Sequence, residues 1–257
     1  MSTAAPSTSL DYVEEYAAAA DRFAAAVAES DMRVPVPSCP GWSTYDLVVH
    51  LGNVHAWAAT IVETGQRAAE QNDRPRASRA RSASRWYAGK AEDLREVLRE
   101  TAPDQPCWNF AFGAGVAAFW SRRQLHETTV HQIDLDLSRR RETALSPHLC
   151  ADGVGEALTV FLHRMHARGF VARLDGPLAL TASDIGGTWL VTPGRNGESP
   201  SARPVKPVPQ SVRDRVEGPA EVLYRMLWKR APVDDPELDI FGDRARVLAF
   251  LGSRLVP

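Results

Sequence analysis

Apolar residues in the first two-thirds of the chain recur at helical spacing. Between residues 10 and 30, Leu10, Val13, Tyr16, Ala17, Ala20, Phe23, Ala24 and Val27 form an i, i+3, i+4, i+7 ladder with Asp and Glu on the other side. This predicts a first amphipathic helix. The Pro-rich turn VPVPSCPGW interrupts it, and Ser43 then offers an N-cap to a second helix carrying Leu47, Val54, Trp57 and Ile61, which runs to about Thr64. From Gln66 to Ser84 the composition shifts to Arg, Ala, Ser and Asp, which reads as a linker. Trp86, Leu94, Val97 and Leu98 mark a third helix that closes at Ala102-Pro103, and a fourth covers roughly Val116 to Arg140. Four antiparallel helices with modest connections predict an up-down bundle over residues 1–145.

The pattern changes after about residue 146. A fifth, connecting helix is expected from roughly Pro147 to Arg168, followed by the β-like runs PLALTAS, GGTWLVTP and SVRDRVEG. Two helical segments, AEVLYRMLWKR and DRARVLAFLGSR, close the chain. The stretch PGRNGESPSARPVKPVPQ reads as a long mobile loop. The fold class is therefore α+β: a helical bundle, then a small α+β domain over residues 146–257.

Composition narrows the function classes. The 257 residues carry a formal net charge of -2, so global electrostatics give no reason to expect a nucleic-acid or membrane partner. No helix-turn-helix with a basic recognition face is evident. Cys39, Cys107 and Cys150 are an odd set at wide spacing, which fits neither a disulfide framework nor a CxxC zinc site. No stretch reaches 18 apolar residues and the N-terminus lacks a signal-peptide pattern. A cytoplasmic protein is expected.

Candidate chemistry begins with QLHETTVHQID, residues 124–134. Glu127 and His131 stand four residues apart, which on an α-helix is about 400° of rotation, so both side chains leave one face. His50 lies beside the apolar face of the second helix, and a bundle can carry it to that pair. A His₂Glu set leaves one position of a tetrahedral zinc open, as catalytic sites do. A surface i,i+4 pair or a core histidine would read the same way at this stage. His126 is rotated about 100° from Glu127 and His55 is five residues from His50, so both read as structural or surface groups. Cys39, with no basic neighbour in sequence, reads as a small buried hydrophobe. Five arginines, Arg74, Arg76, Arg79, Arg81 and Arg85, crowd the linker between helices two and three, where a solvated strand of chain is the default.

Four segments in order carry a resemblance. CPGWSTYDLVVHLGNVHAW at 39–57, WSRRQLHETTVHQIDLD at 120–136, SDIGGTWLVTPG at 183–194 and VEGPAEVLYRMLWKRAP at 216–232 are similar to the mycothiol-dependent maleylpyruvate isomerase family, a branch of the DinB-like metal-binding helical bundles. The resemblance implies a divalent metal, zinc by expectation, held by His50, Glu127 and His131, with mycothiol as thiol cosubstrate. It places a catalytic arginine in the Arg-rich segment, where Arg79 and Arg81 both stand, and Arg122 and Arg123 compete for that role. The implied activity is addition of a metal-activated thiolate to a small electrophile, giving cis-trans isomerisation or thiol S-transfer. A metal-dependent hydrolase and a non-catalytic metal- or ligand-binding protein are the alternatives.

Overall fold

A computed structural model describes residues 10–76, 78–195 and 197–257. The chain divides into two compact units, one ending at Thr143 and the other beginning at Ala144. The first holds four helices: α1 (Tyr12–Ala28), α2 (Thr44–Thr64), α3 (Ala80–Glu100) and α4 (Ala118–Ser138). α1 starts where the Asp11 carboxylate accepts from the backbone N–H groups of Val13 and Glu14, and it buries Tyr16, Ala20, Phe23 and Val27. α2 starts in a capping box in which Ser43 and Asp46 satisfy each other's backbone N–H, and it ends at Gly65 in the left-handed region. Each of α1 and α2 packs on both α3 and α4, so the order around the bundle is α1, α3, α2, α4. α2 and α4 are therefore neighbours.

Two features position the site. At Gly52 a Cβ would lie 2.3 Å from the Trp86 ring, so the absence of a side chain is what lets α2 and α3 approach. α4 is buried nearly all round, yet it carries Arg123, Gln124, His126, Thr128, His131, Asp134 and Asp136 in the interior. Buried polar groups are costly unless each finds a partner. A bundle helix that turns so many polar groups inward therefore calls for an explanation beyond packing.

The linker expected to reach Ser84 is shorter than its composition suggested. α3 begins at Ala80, so Arg81 and Arg85 are helical. The Arg-rich segment before it is tied down: the buried Asn53 amide donates to the Asp73 carbonyl at 2.9 Å and accepts from its N–H at 2.8 Å.

The second unit opens with α5 (Pro147–Glu156), capped by Ser146. The helical path continues through a five-residue π segment (Ala157–Phe161) into α6 (Leu162–Ala167). Strands β1 (Leu178–Ala182), β2 (Gly187–Thr192), β3 (Ser201–Pro204), β4 (Asp214–Gly218) and β5 (Asp239–Phe241) form one mixed sheet in the order β3-β2-β1-β4-β5. β1 and β4 run parallel, and the other neighbours are antiparallel. α7 (Ala220–Leu227) packs on α5, and α8 (Arg244–Gly252) is the last helix among the described residues. The segment expected to be a long mobile loop contains β3, paired with β2 from Trp189↔Pro204 to Thr192↔Ser201. Its proline is tolerated because β3 is an edge strand and Pro204 is its last residue. No helix among the described residues is long and apolar enough to cross a membrane.

Candidate metal centre

The packing of α2 against α4 brings His50, Glu127 and His131 together. His50 Nε2 lies 3.5 Å and His131 Nε2 lies 3.3 Å from the same carboxylate oxygen, Glu127 Oε1. One ligand atom from each residue falls within 4.8 Å of the others. Ligands at about 2.0–2.1 Å in a tetrahedral zinc site stand roughly 3.4 Å apart, which matches the two distances from Glu127 Oε1 to the histidine nitrogens. The exposures are graded, with His50 36% exposed, Glu127 20% and His131 9%, so the group opens on the His50 side.

Glu127 divides its two oxygens. While Oε1 faces the histidines, Oε2 accepts from Arg123 Nη2 at 2.9 Å. Burial alone would raise the carboxyl pKa, but Arg123, His131 and His50 outweigh it and hold the group well below the usual carboxylate range. The carboxylate is thus held in its ionised form. For His131, burial works against protonation, but the hydrogen bonds to Asp134 and Glu127 prevail and push its pKa up to about 9.

The turn before α2 supplies a further layer. His131 Nδ1 lies 2.8 Å from Asp134 Oδ2, and the fully buried Asp134 accepts from the Ser38 hydroxyl through its other oxygen. The Cys39 thiol lies 3.5 Å from Asp134 Oδ2. Cys39 is half-buried among polar groups and belongs to a second cluster, Cys39, His131 and Asp134. It is not the buried hydrophobe that its sequence neighbours suggested, because the turn folds back onto α4 and gives it partners about 95 positions away. The Trp42 ring stacks near both histidines, 4.8 Å from His50 and 6.4 Å from His131 between centroids.

The remaining sequence candidates separate clearly. His55 is fully buried, with Nδ1 2.8 Å from Gln124 Oε1 and Nε2 3.1 Å from the Tyr87 hydroxyl, and burial lowers its pKa to about 4. It is a neutral core histidine. His126 is likewise buried within the bundle. Arg79 is the exposed N-cap of α3 and lines an open cleft of about 670 Å³ with Asp31, Arg33, Ser43 and Tyr45. Arg81 is exposed in the first turn of α3. The arginine brought to Glu127 is Arg123, 2% exposed. Sequence reasoning missed Ser38 and Asp134. Asp134 had one available signal, an acid three residues after a candidate histidine ligand on the same helix.

Fold and site together define a helical bundle with a His–Glu–His group at its centre, joined to a mixed-sheet unit. Residues 13–136 match the family model described as the mycothiol maleylpyruvate isomerase N-terminal domain, and residues 148–249 match that of the MDMPI C-terminal domain. The chain belongs to the mycothiol-dependent maleylpyruvate isomerase family. Among solved structures it resembles the crystal structure of the mycothiol-dependent maleylpyruvate isomerase, with 12% identity and a TM-score of 0.59 over 86% of this chain and 89% of that one. A histidine-to-alanine mutant of that isomerase gives 12% identity and a TM-score of 0.60 over 90% and 91% of the two chains. At such identity these likenesses establish the fold. No curated protein sequence matches the chain.

Proposed function

We propose that this chain is a metal-dependent, mycothiol-using enzyme that adds the thiol to a small electrophilic acid, either for cis-trans isomerisation of a maleylpyruvate-type substrate or for thiol S-transfer. The observation that carries this reading is the convergence of His50 Nε2, His131 Nε2 and Glu127 Oε1. These three residues would hold the metal. When bound there, a divalent cation supplies the charge that keeps a thiol deprotonated near neutral pH.

The chain's own groups then have defined tasks. Glu127 stays ionised because Arg123 neutralises its far oxygen, so a single oxygen is turned toward the histidines. The exposed edge of His50 marks the side from which thiol and substrate enter. Arg79 and Arg81 bind the carboxylates of the substrate, a task suited to the planar guanidinium fork. In isomerisation the sulfur forms a C–S bond to one carbon of the cis double bond, and the π electrons move onto the conjugated carbonyl. The former double bond rotates as a single bond. Return of those electrons restores the double bond as trans and expels the thiolate, so no atom is gained or lost. Transfer results when expulsion does not follow and a proton is taken up at carbon instead.

The test is turnover of maleylpyruvate by the full chain with mycothiol, with each thiol-free and metal-stripped control. Isomerisation that needs both components supports the reading. Metal-dependent hydrolysis of an ester or amide without thiol, and no reaction with mycothiol, would favour the hydrolase alternative.

A further inference from the structure

We infer that the turn Pro37–Trp42 is the positioning device for the metal centre, and that Asp134 is the residue through which it acts on His131. This inference rests on the metal reading above. A histidine can present either ring nitrogen, and only one of the two chain arrangements at His131 suits a ligand shared with His50 and Glu127. With its Nδ1 2.8 Å from Asp134 Oδ2, His131 keeps its Nδ1 proton on the carboxylate, so Nε2, the nitrogen facing Glu127 Oε1, is the one whose proton a metal would displace. A carboxylate behind a histidine ligand fixes its tautomer and its ring plane.

Asp134 in turn needs holding, because a fully buried carboxylate with one partner would be costly. The turn provides the rest. The Ser38 hydroxyl donates to Oδ1, and the Cys39 thiol points its donor at Oδ2. Both oxygens of Asp134 are thereby engaged, and the carboxylate cannot swing away from His131. The same turn lays Trp42 against the His50 ring, so one short stretch steadies both histidines. Its own shape is fixed by backbone hydrogen bonds that close it: Val36 N–H donates to the Trp42 carbonyl at 2.9 Å and Trp42 N–H to the Cys39 carbonyl at 3.0 Å. Gly41, at φ 86°, supplies the left-handed residue the closure needs.

The inference is tested by zinc affinity and by the tautomer of His131, neither of which depends on turnover. In competition with a chromophoric chelator, Asp134→Asn should bind zinc roughly 10- to 100-fold more weakly than the unaltered chain, while His131→Ala loses binding. Ser38→Ala should weaken it by a smaller factor, and adding Ser38→Ala to Asp134→Asn should cost little more, since both act through one carboxylate. Nitrogen-15 NMR of the unaltered zinc-loaded chain should show His131 protonated at Nδ1, which tests the arrangement even where a variant fails to fold. Asp134→Asn binding zinc as tightly as the unaltered chain would overturn the inference alone, whereas His131 protonated at Nε2 would overturn it and also remove that nitrogen from the ligand set. An unaltered chain that binds no zinc would overturn it together with the metal reading on which it rests.

Discussion

Arg123 and Glu127 form a charge pair one helical turn apart, Nη2 to Oε2 at 2.9 Å, on the oxygen that the histidines do not use. Arg123 is almost fully buried and Glu127 is mostly so, and removing Arg123 takes away the largest influence that offsets burial of the Glu127 carboxylate, leaving the two histidines to do so. Arg123→Met should therefore lower the free energy of unfolding by about 2–4 kcal/mol, a range reduced slightly for the partial exposure of Glu127. Urea denaturation of the metal-free chain measures it. Arg123→Lys should retain part of the stability, and an unchanged midpoint in Arg123→Met would show the pair to be inconsequential.

Arg79 and Arg81 stand apart from that pair. Replacing both by Ala should leave zinc content unaltered, because neither is among the converging ligand atoms, while raising KM for the acidic substrate or lowering kcat. Steady-state kinetics alongside metal analysis separates the two effects. Unchanged kinetics would return this segment to the status of a connection between helices.

A pH effect on stability follows from His55. In the unfolded chain its imidazole takes a proton near pH 6.5, but in the folded chain burial postpones this to about 4. Between those values the unfolded state binds more protons, so stability falls as the pH falls through this window, and no such penalty exists above it. The loss from this one group amounts to about 2 kcal/mol by pH 5 and about 3 kcal/mol when complete. His55→Gln should be less stable at pH 7 but should show a shallower decline of Tm from pH 7 to 5. Parallel declines in the two proteins would exclude His55 as the source.

The contact of Gly52 with Trp86 predicts a compensating pair. Gly52→Ala places a Cβ 2.3 Å from Cζ3 of the Trp86 ring, and overpacking of this kind costs about 1–3 kcal/mol. Trp86→Leu frees the space, so the double variant should be more stable than the sum of the two single losses implies. Simple additivity in thermal unfolding would mean that the ring moves aside freely.

What the sequence made legible was local. The helix faces of α1 and α2 and the same-face placement of Glu127 and His131 follow from a 3.6-residue period, and His50 entered through its position on a helix beside the apolar stripe. The partners that complete the site were out of reach for the same reason. Ser38 and Cys39 meet Asp134 across about 95 positions, and no periodicity encodes such a contact. α4 shows the limit most plainly: its buried Gln124, Thr128 and Asp134 give it no apolar stripe to read, although it is the best-buried helix of the bundle. β3 was hidden by the Pro and Gly around it, which signal a loop unless the strand lies at a sheet edge.

In the proposed function, His50, Glu127 and His131 hold one metal that receives the mycothiol sulfur. X-ray absorption at the zinc edge of the zinc-loaded chain, before and after addition of mycothiol, tests it most directly. The spectrum should show two imidazole nitrogens and a carboxylate oxygen at about 2.0–2.2 Å in both states, with one sulfur appearing at about 2.3 Å when the thiol is present. A spectrum that gains no sulfur, or that lacks one imidazole in the unaltered chain and is the same in His131→Ala, would contradict it.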